Sequence, residues 1–239
     1  MATNYNPRIV TDGLVLCLDA GNTKSYPGSG TTWTDLSGNG NNGTLTNGPT
    51  YSSTNGGSLV FDGANDTANV PTISSSNDGF SICLWINSSR WGLPSCPCPN
   101  TSGIVDWSTG YWNYTSIFSN SSGPLFVIYN QSTSPYGVNL SFNASQLNTW
   151  YYLVGTFGPS GVGNSLRTYT NGALQNTGSL SGQGGSFTIS SSPQIAGYNR
   201  HCGSCYIAAK ISQLSIYNRA LTPQEIQQNF NATRSRFGI

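Results

Sequence analysis

Short apolar runs alternate with turn residues along the whole chain, at the spacing of hairpins. GLVLCLDA at 13–20 predicts a strand with Leu14, Leu16 and Leu18 on one face. GNTKSYPGSGTTWTDLSGNGNNGTL follows as a long Gly/Asn loop, and SLVFDG at 58–63 predicts a strand ending at a turn. FSICLWIN at 80–87 is apolar at Cys83 and Trp85 as well as at the alternate positions, which predicts a central strand covered on both faces. SIFSN, PLFVIYNQ and GVNLSF predict a meander, and TWYYLVGTFG at 149–158 another long strand. In LRTYTNGALQNTG, Asn171-Gly172 between two extended runs is a strong hairpin signal. FTIS, QIAGYN and KISQLSIYN complete about a dozen predicted strands, the pattern of an all-β jelly-roll sandwich of two antiparallel sheets.

One short C-terminal helix breaks the pattern. In LTPQEIQQNF, Thr222 is placed to cap, Pro223 stands at the first helical position and Glu225 completes a capping box. Leu221 and Ile226 occupy the staple positions, and Ile226 with Phe230 forms one apolar stripe that predicts docking on the sandwich. With no linker or long repeat, the chain reads as an arm (1–12) and one domain (13–239).

Composition narrows the function classes. Only 7% of the 239 residues are charged, against about 25% in ordinary globular chains. A net charge of +1 with no basic cluster leaves no electrostatic footprint for nucleic acid. No apolar run is long enough to span a membrane, and MATNYNPRIVTDG lacks the charged and apolar regions of a signal peptide. A protein made in a host cytoplasm and released on a virion surface reconciles that start with so exposed a composition; an intracellular protein that is never exported is the blander alternative.

Catalytic chemistry is sparse. Glycosidases need paired carboxylates at a cleft, but Glu225 is the only glutamate and is used in the capping box. Seven aspartates are dispersed, and His201 has no nucleophile context. Asp62 and Asp66, in FDGAND, read first as turn residues and second as hard oxygen ligands for Ca2+. No cofactor is required by the pattern, and the expectation is a non-enzyme.

The six cysteines divide. Cys17 and Cys83 lie within strand runs and read as buried thiols. Cys96, Cys98, Cys202 and Cys205 lie on loops, where crossed disulfides between the two pairs are preferred over Zn2+, because C-x-C is not the usual zinc spacing. Unpaired loop thiols are the remaining alternative.

Taken in order, GLVLCLDAGNTKSYPGSGTTWTDLSGNGNNGTL, SLVFDGANDTANVP, FSICLWINS, NTWYYLVGTF, LRTYTNGALQNTGSL and KISQLSIYNRALTPQEIQQNF resemble the concanavalin A-like, laminin-G-like jelly rolls over most of 13–232. The opening and closing segments resemble in particular the laminin-G-like structural proteins of tailed bacteriophages. That resemblance implies a capsid decoration (cement) protein, binding the major capsid protein and copies of itself as a dimer or trimer. The arm Met1–Asp12 and the tail Arg234–Ile239 would supply attachments. The alternative it implies is a carbohydrate-binding adhesin on a phage tail or cell surface. Two features depart from the family: Ala208-Ala209 stand where relatives commonly carry a glycine, and 88–116 reads as an insertion. The insertion carries Trp91, Trp107, Tyr111, Trp112 and Tyr114, a stacking platform for sugars or partners, or the loop's own small core.

Overall fold

A computed structural model describes residues 8–75, 79–92, 102–108, 113–130, 137–160, 163–179, 189–200 and 203–239. In chain order the strands are β1 (Leu14–Asp19), β2 (Thr32–Trp33), β3 (Gly43–Thr46), β4 (Thr50–Ser52), β5 (Ser58–Asp62), β6 (Thr67–Asn69), β7 (Ile73–Ser75), β8 (Phe80–Ser88), β9 (Ser102–Ser108) and β10 (Asn113–Asn120). They continue as β11 (Gly123–Asn130), β12 (Gly137–Ser141), β13 (Trp150–Ser160), β14 (Gly163–Thr170), β15 (Ala173–Ser179), β16 (Ile189–Ser191), β17 (Gln194–Ile195), β18 (Gly197–Arg200), β19 (Gly203–Tyr206) and β20 (Ala208–Tyr217). Helix α1 (Pro223–Thr233) and a 3-10 turn at Arg234–Phe237 close the described chain.

Two sheets form a sandwich. The first runs β15-β14-β13-β8-β20-β5-β4, with β1 also on β20. The second runs β12-β11-β10-β9-β17-β6-β3-β2. The β18–β19 hairpin joins the second sheet through one parallel bridge, Tyr206 with Gly103. Between the sheets, Phe80 makes edge contacts with Trp107 (5.7 Å) and Phe126 (6.2 Å). Gly155 permits this approach: a Cβ there would lie 2.6 Å from the Phe126 ring.

The apolar-on-both-faces reading of β8 is correct, and the structure shows why. Phe80, Ile82, Leu84 and Ile86 face the core between the sheets. Cys83 and Trp85 point the other way, into a second cluster beneath α1 with Tyr152, Tyr217, Ile226 and Phe230. Leu14 departs from expectation: a register shift between Leu14 and Leu16 turns it onto this outer cluster, while Leu16 and Leu18 stay in the main core.

One further expectation is corrected, and two other segments are placed. The supposed Gly/Asn loop after residue 20 contains β2 and β3, and Trp33 within it is 0% exposed. Buried Asp35 organises this stretch by accepting hydrogen bonds from the backbone N–H of Cys17, Ser37 and Asn41 (2.8, 2.9 and 3.0 Å). Segment 88–116, read as an insertion, carries β9, which is paired with β10 on one side and β17 on the other. The tail is not free. Arg236 forms a two-pronged pair with Asp19 (3.0 and 2.9 Å), and Phe237 stacks on Trp85 at 4.0 Å.

Residues 8–12 also lie against the domain. The Val10 N–H donates to Asn229 Oδ1 at 2.7 Å, and the Val10 carbonyl accepts from the Tyr217 hydroxyl at 2.9 Å.

The capping box forms as the sequence predicts. Thr222 Oγ1 accepts from the Glu225 N–H and Glu225 Oε2 from the Thr222 N–H. Arg219 grips the same carboxylate at 2.9 and 2.6 Å, and this pairing pulls the Glu225 carboxyl down to about 2. Its contribution to stability is therefore complete above pH 4.5 and lost as pH falls towards 2. Glu225→Gln should cost about 1 kcal/mol at pH 7. Urea titrations of both proteins should show that difference shrinking steadily below pH 4.5.

Candidate functional site

At one end of the first sheet, beyond the reach of α1, strands β5, β20 and β8 leave a half-enclosed cleft of about 240 Å³. Its position follows from strand alternation. Leu59, Ile86, Ala209 and Ile211 point into the main core, so Val60, Asn87 and Lys210 point outward. Pairing sets them side by side, Asn87 opposite Lys210 and Lys210 opposite Val60. Ser89 and Asn148 supply the remaining polar wall and Ala208 an apolar one.

The cleft's rim is fixed by backbone. The Asn148 N–H donates to the Ser88 carbonyl at 2.7 Å, and the Ser89 N–H to the Ala208 carbonyl at 3.2 Å. Asn148 has φ +55°, a conformation that asparagine tolerates better than most residues. Ser89 Oγ is bound to the Ala208 carbonyl. Among the described residues, the Asn87 and Asn148 amides and the Lys210 ammonium have no hydrogen-bond or ion-pair partner. Ion pairs among the described residues lie elsewhere: Arg219 with Asp12 and Glu225, Arg236 with Asp19.

The described candidate residues read from the sequence lie outside this cleft. Trp91 and Trp107 belong to the main core. Trp107 is 1% exposed and its indole N–H donates to the Ser191 carbonyl at 3.1 Å, so neither ring offers a face to a ligand. Tyr111 and Trp112 lie outside the described residues, as does the side chain of Tyr114. Asp62 Oδ1 accepts from the N–H of Ala64 (2.7 Å) and Asn65 (3.3 Å), and Asp66 Oδ2 accepts from the N–H of Asp62. This is turn geometry. Hydrogen bonding, led by that from Ala64, holds the Asp62 carboxyl low, while burial raises that of Asp66. Among the described residues, no group of three His, Cys, Asp or Glu could hold a metal ion.

Cys17 and Cys83 are free and buried, as expected. Both pair with Ser215, one on each side of it, so they stand two strand spacings apart, roughly 9.5 Å and beyond disulfide reach. Burial pushes their thiols up to about 11 and about 12. Cys205, 1% exposed, is disulfide-bonded. Cys96, Cys98, His201 and Cys202 lie outside the described residues.

Sequence reasoning missed the cleft. Its one early sign was Ala208-Ala209, the departure from the family glycine, which now forms part of the cleft lining.

The concanavalin A-like lectin/glucanases superfamily matches over residues 62–227, well over half of the chain. This chain belongs to that family. No curated protein matches the sequence.

Solved structures share the fold. The binding domain of Paraclostridial mosquitocidal protein 1 superposes with a TM-score of 0.70 at 16% identity, covering 93% of this chain and 52% of that one. The ligand-binding domain of botulinum neurotoxin serotype D, solved with N-acetylneuraminic acid, gives 0.69 at 13% identity over 92% and 51%. The binding domain of botulinum neurotoxin DC, solved with rat synaptotagmin II, gives 0.67 at 20% over 94% and 52%. This superfamily member thus spans about half the length of each. All three are toxin binding domains, not virion proteins.

Proposed function

We propose that this protein is a carbohydrate-binding module, the second of the two roles that its family resemblance implied. The observation that carries the proposal is the cleft, where two amides and an ammonium without partners among the described residues converge on a small concavity of a lectin-type sandwich. Amides donate and accept at once, as sugar hydroxyls and N-acetyl groups require. The neighbours bound to N-acetylneuraminic acid or to a protein receptor support a recognition role. Since each is twice as long, they do not locate the ligand on this chain.

The module binds without catalysis and without a metal. No carboxylate is among the described residues lining the cleft. Asp62 and Asp66 are already bonded to backbone N–H groups, which supports turn residues over calcium ligands. Capsid decoration, alone or as a dimer or trimer, is the weaker reading. Of the two attachments expected for it, Met1–Asp12 and Arg234–Ile239, the parts at residues 8–12 and Arg234–Phe237 are engaged by the domain itself.

A glycan array probed with the purified protein tests the proposal. Binding to some saccharides should be lost in an Asn87→Ala, Asn148→Ala double variant that melts normally. A blank array beside stoichiometric binding to phage heads would overturn it in favour of decoration.

Cys205, expected on a loop, lies in β19; for it and the three cysteines outside the described residues, we propose two bridges joining Cys96 and Cys98 to Cys202 and Cys205. The parallel bridge of Tyr206 with Gly103 supports this, because it sets Cys205 beside the chain that leaves the 96/98 loop. A sulfur in a disulfide cannot serve as a thiolate, which supports bridges over zinc. Alkylation followed by intact mass checks it. Native protein should take no label at Cys17 or Cys83, denatured protein two labels, and reduced protein six. Four or more labels without reductant would refute the double bridge.

A further inference from the structure

Resting on the carbohydrate-binding reading, the geometry points to an anionic sugar residue, a sialic or uronic acid, as the ligand of the cleft, its carboxylate received by Lys210. Lys210 is half-buried in a chain with few charges, and no counter-ion faces it at ion-pair distance among the described residues. An ammonium without a partner at the cleft can receive an incoming carboxylate in a charge-assisted hydrogen bond.

The nearest acidic position on the same face is Asp62, which pairs with Ala208 and so sits diagonally from Lys210. Its Oδ1 is turned into its own loop by the N–H groups of Ala64 and Asn65, so it forms no ion pair with the lysine. Val60, Asn87, Ser89, Asn148 and Ala208 are all uncharged, leaving Lys210 the only charge among the described lining residues. The amides of Asn87 and Asn148 flank it and suit the hydroxyls of the same sugar ring. The volume of about 240 Å³ falls below that of pockets for drug-sized ligands, which fits one terminal residue of a glycan and no more. Another surface concavity among the described residues, between Gly172 and Gln224, Gln227, Gln228 and Asn231 of α1, has amides but no charged side chain and an open form, and makes no such selection.

Titration calorimetry with the methyl glycosides of N-acetylneuraminic acid, glucuronic acid and glucose tests the inference. One or both acids should bind at least tenfold more tightly than the glucoside, and that preference should fall as NaCl rises. Lys210→Met should erase the preference while leaving the melting temperature unchanged, and Lys210→Arg should restore most of it. Should Lys210→Met melt early, Asn148→Asp provides the check: a carboxylate on the rim should weaken the acids at least tenfold more than it weakens the glucoside. Equal binding of acid and neutral sugars, or a preference that survives both Lys210→Met and Asn148→Asp, overturns the anionic ligand while leaving the carbohydrate-binding reading intact. Failure of all three sugars, together with a blank array, removes both.

Discussion

Phe237→Ala should lower the stability of this domain by about 3–5 kcal/mol, a drop of roughly 10 °C in melting temperature. So large an effect so near the C-terminal end of the sequence follows from where the ring lies. Phe237 is 6% exposed, stacked on Trp85 at 4.0 Å and tilted against Trp150 at 4.7 Å. It helps cover a face of β8 that would otherwise present Trp85 to water. Trp85 also donates its indole N–H to Thr233 Oγ1 at 2.8 Å, so loss of the tail loosens the end of α1. Arg234→Ala is the control. Its guanidinium lies 5.7 Å from the Phe230 ring, an exposed contact whose loss should cost less than 1 kcal/mol. Thermal melts of the two variants check the contrast; similar midpoints would mean that the outer cluster contributes little.

Trp107→Ala should be as damaging, and for a reason unrelated to ligands. The ring is 1% exposed between the sheets against Phe80, and its truncation leaves a large cavity and the Ser191 carbonyl without its donor. A loss of about 3–5 kcal/mol is expected. Sugar affinity per folded molecule should stay the same, because the cleft lies on the outer face of the other sheet. A folded, normally melting variant that had lost sugar binding would restore the stacking-platform role to this residue.

The long strands and the helix were legible because their signals are local. FSICLWIN announces burial on both faces, Asn171-Gly172 a tight turn, and Thr222 with Glu225 a capped helix; each depends on residues within one turn or one strand. What escaped depends on partners far away. Strands β2 and β3 are only two and four residues long and lie among glycines and asparagines, so no periodicity betrays them. GIVDWS lies in the segment read as an insertion between two family strands, and its sequence does not announce that Val105 and Trp107 fill the core between the sheets. The cleft escaped for a third reason. Asn87, Asn148 and Lys210 are ordinary surface residues in sequence, and only cross-strand register and a loop bond bring them together.

The outer cluster beneath α1 joins distant parts of the chain. Val10 and Leu14 pack there with Phe230 and Phe237, and the Tyr217 hydroxyl reaches back across 207 residues to the Val10 carbonyl. A ribosome delivers these pieces at opposite times. Strand β1 must wait for β20 before its ladder can form, and Trp85 must wait for Phe237. Folding during synthesis is thereby held back until Phe237 has emerged, and the nascent chain carries an uncovered tryptophan face until then. Such long closures predict slow folding and a period of dependence on chaperones.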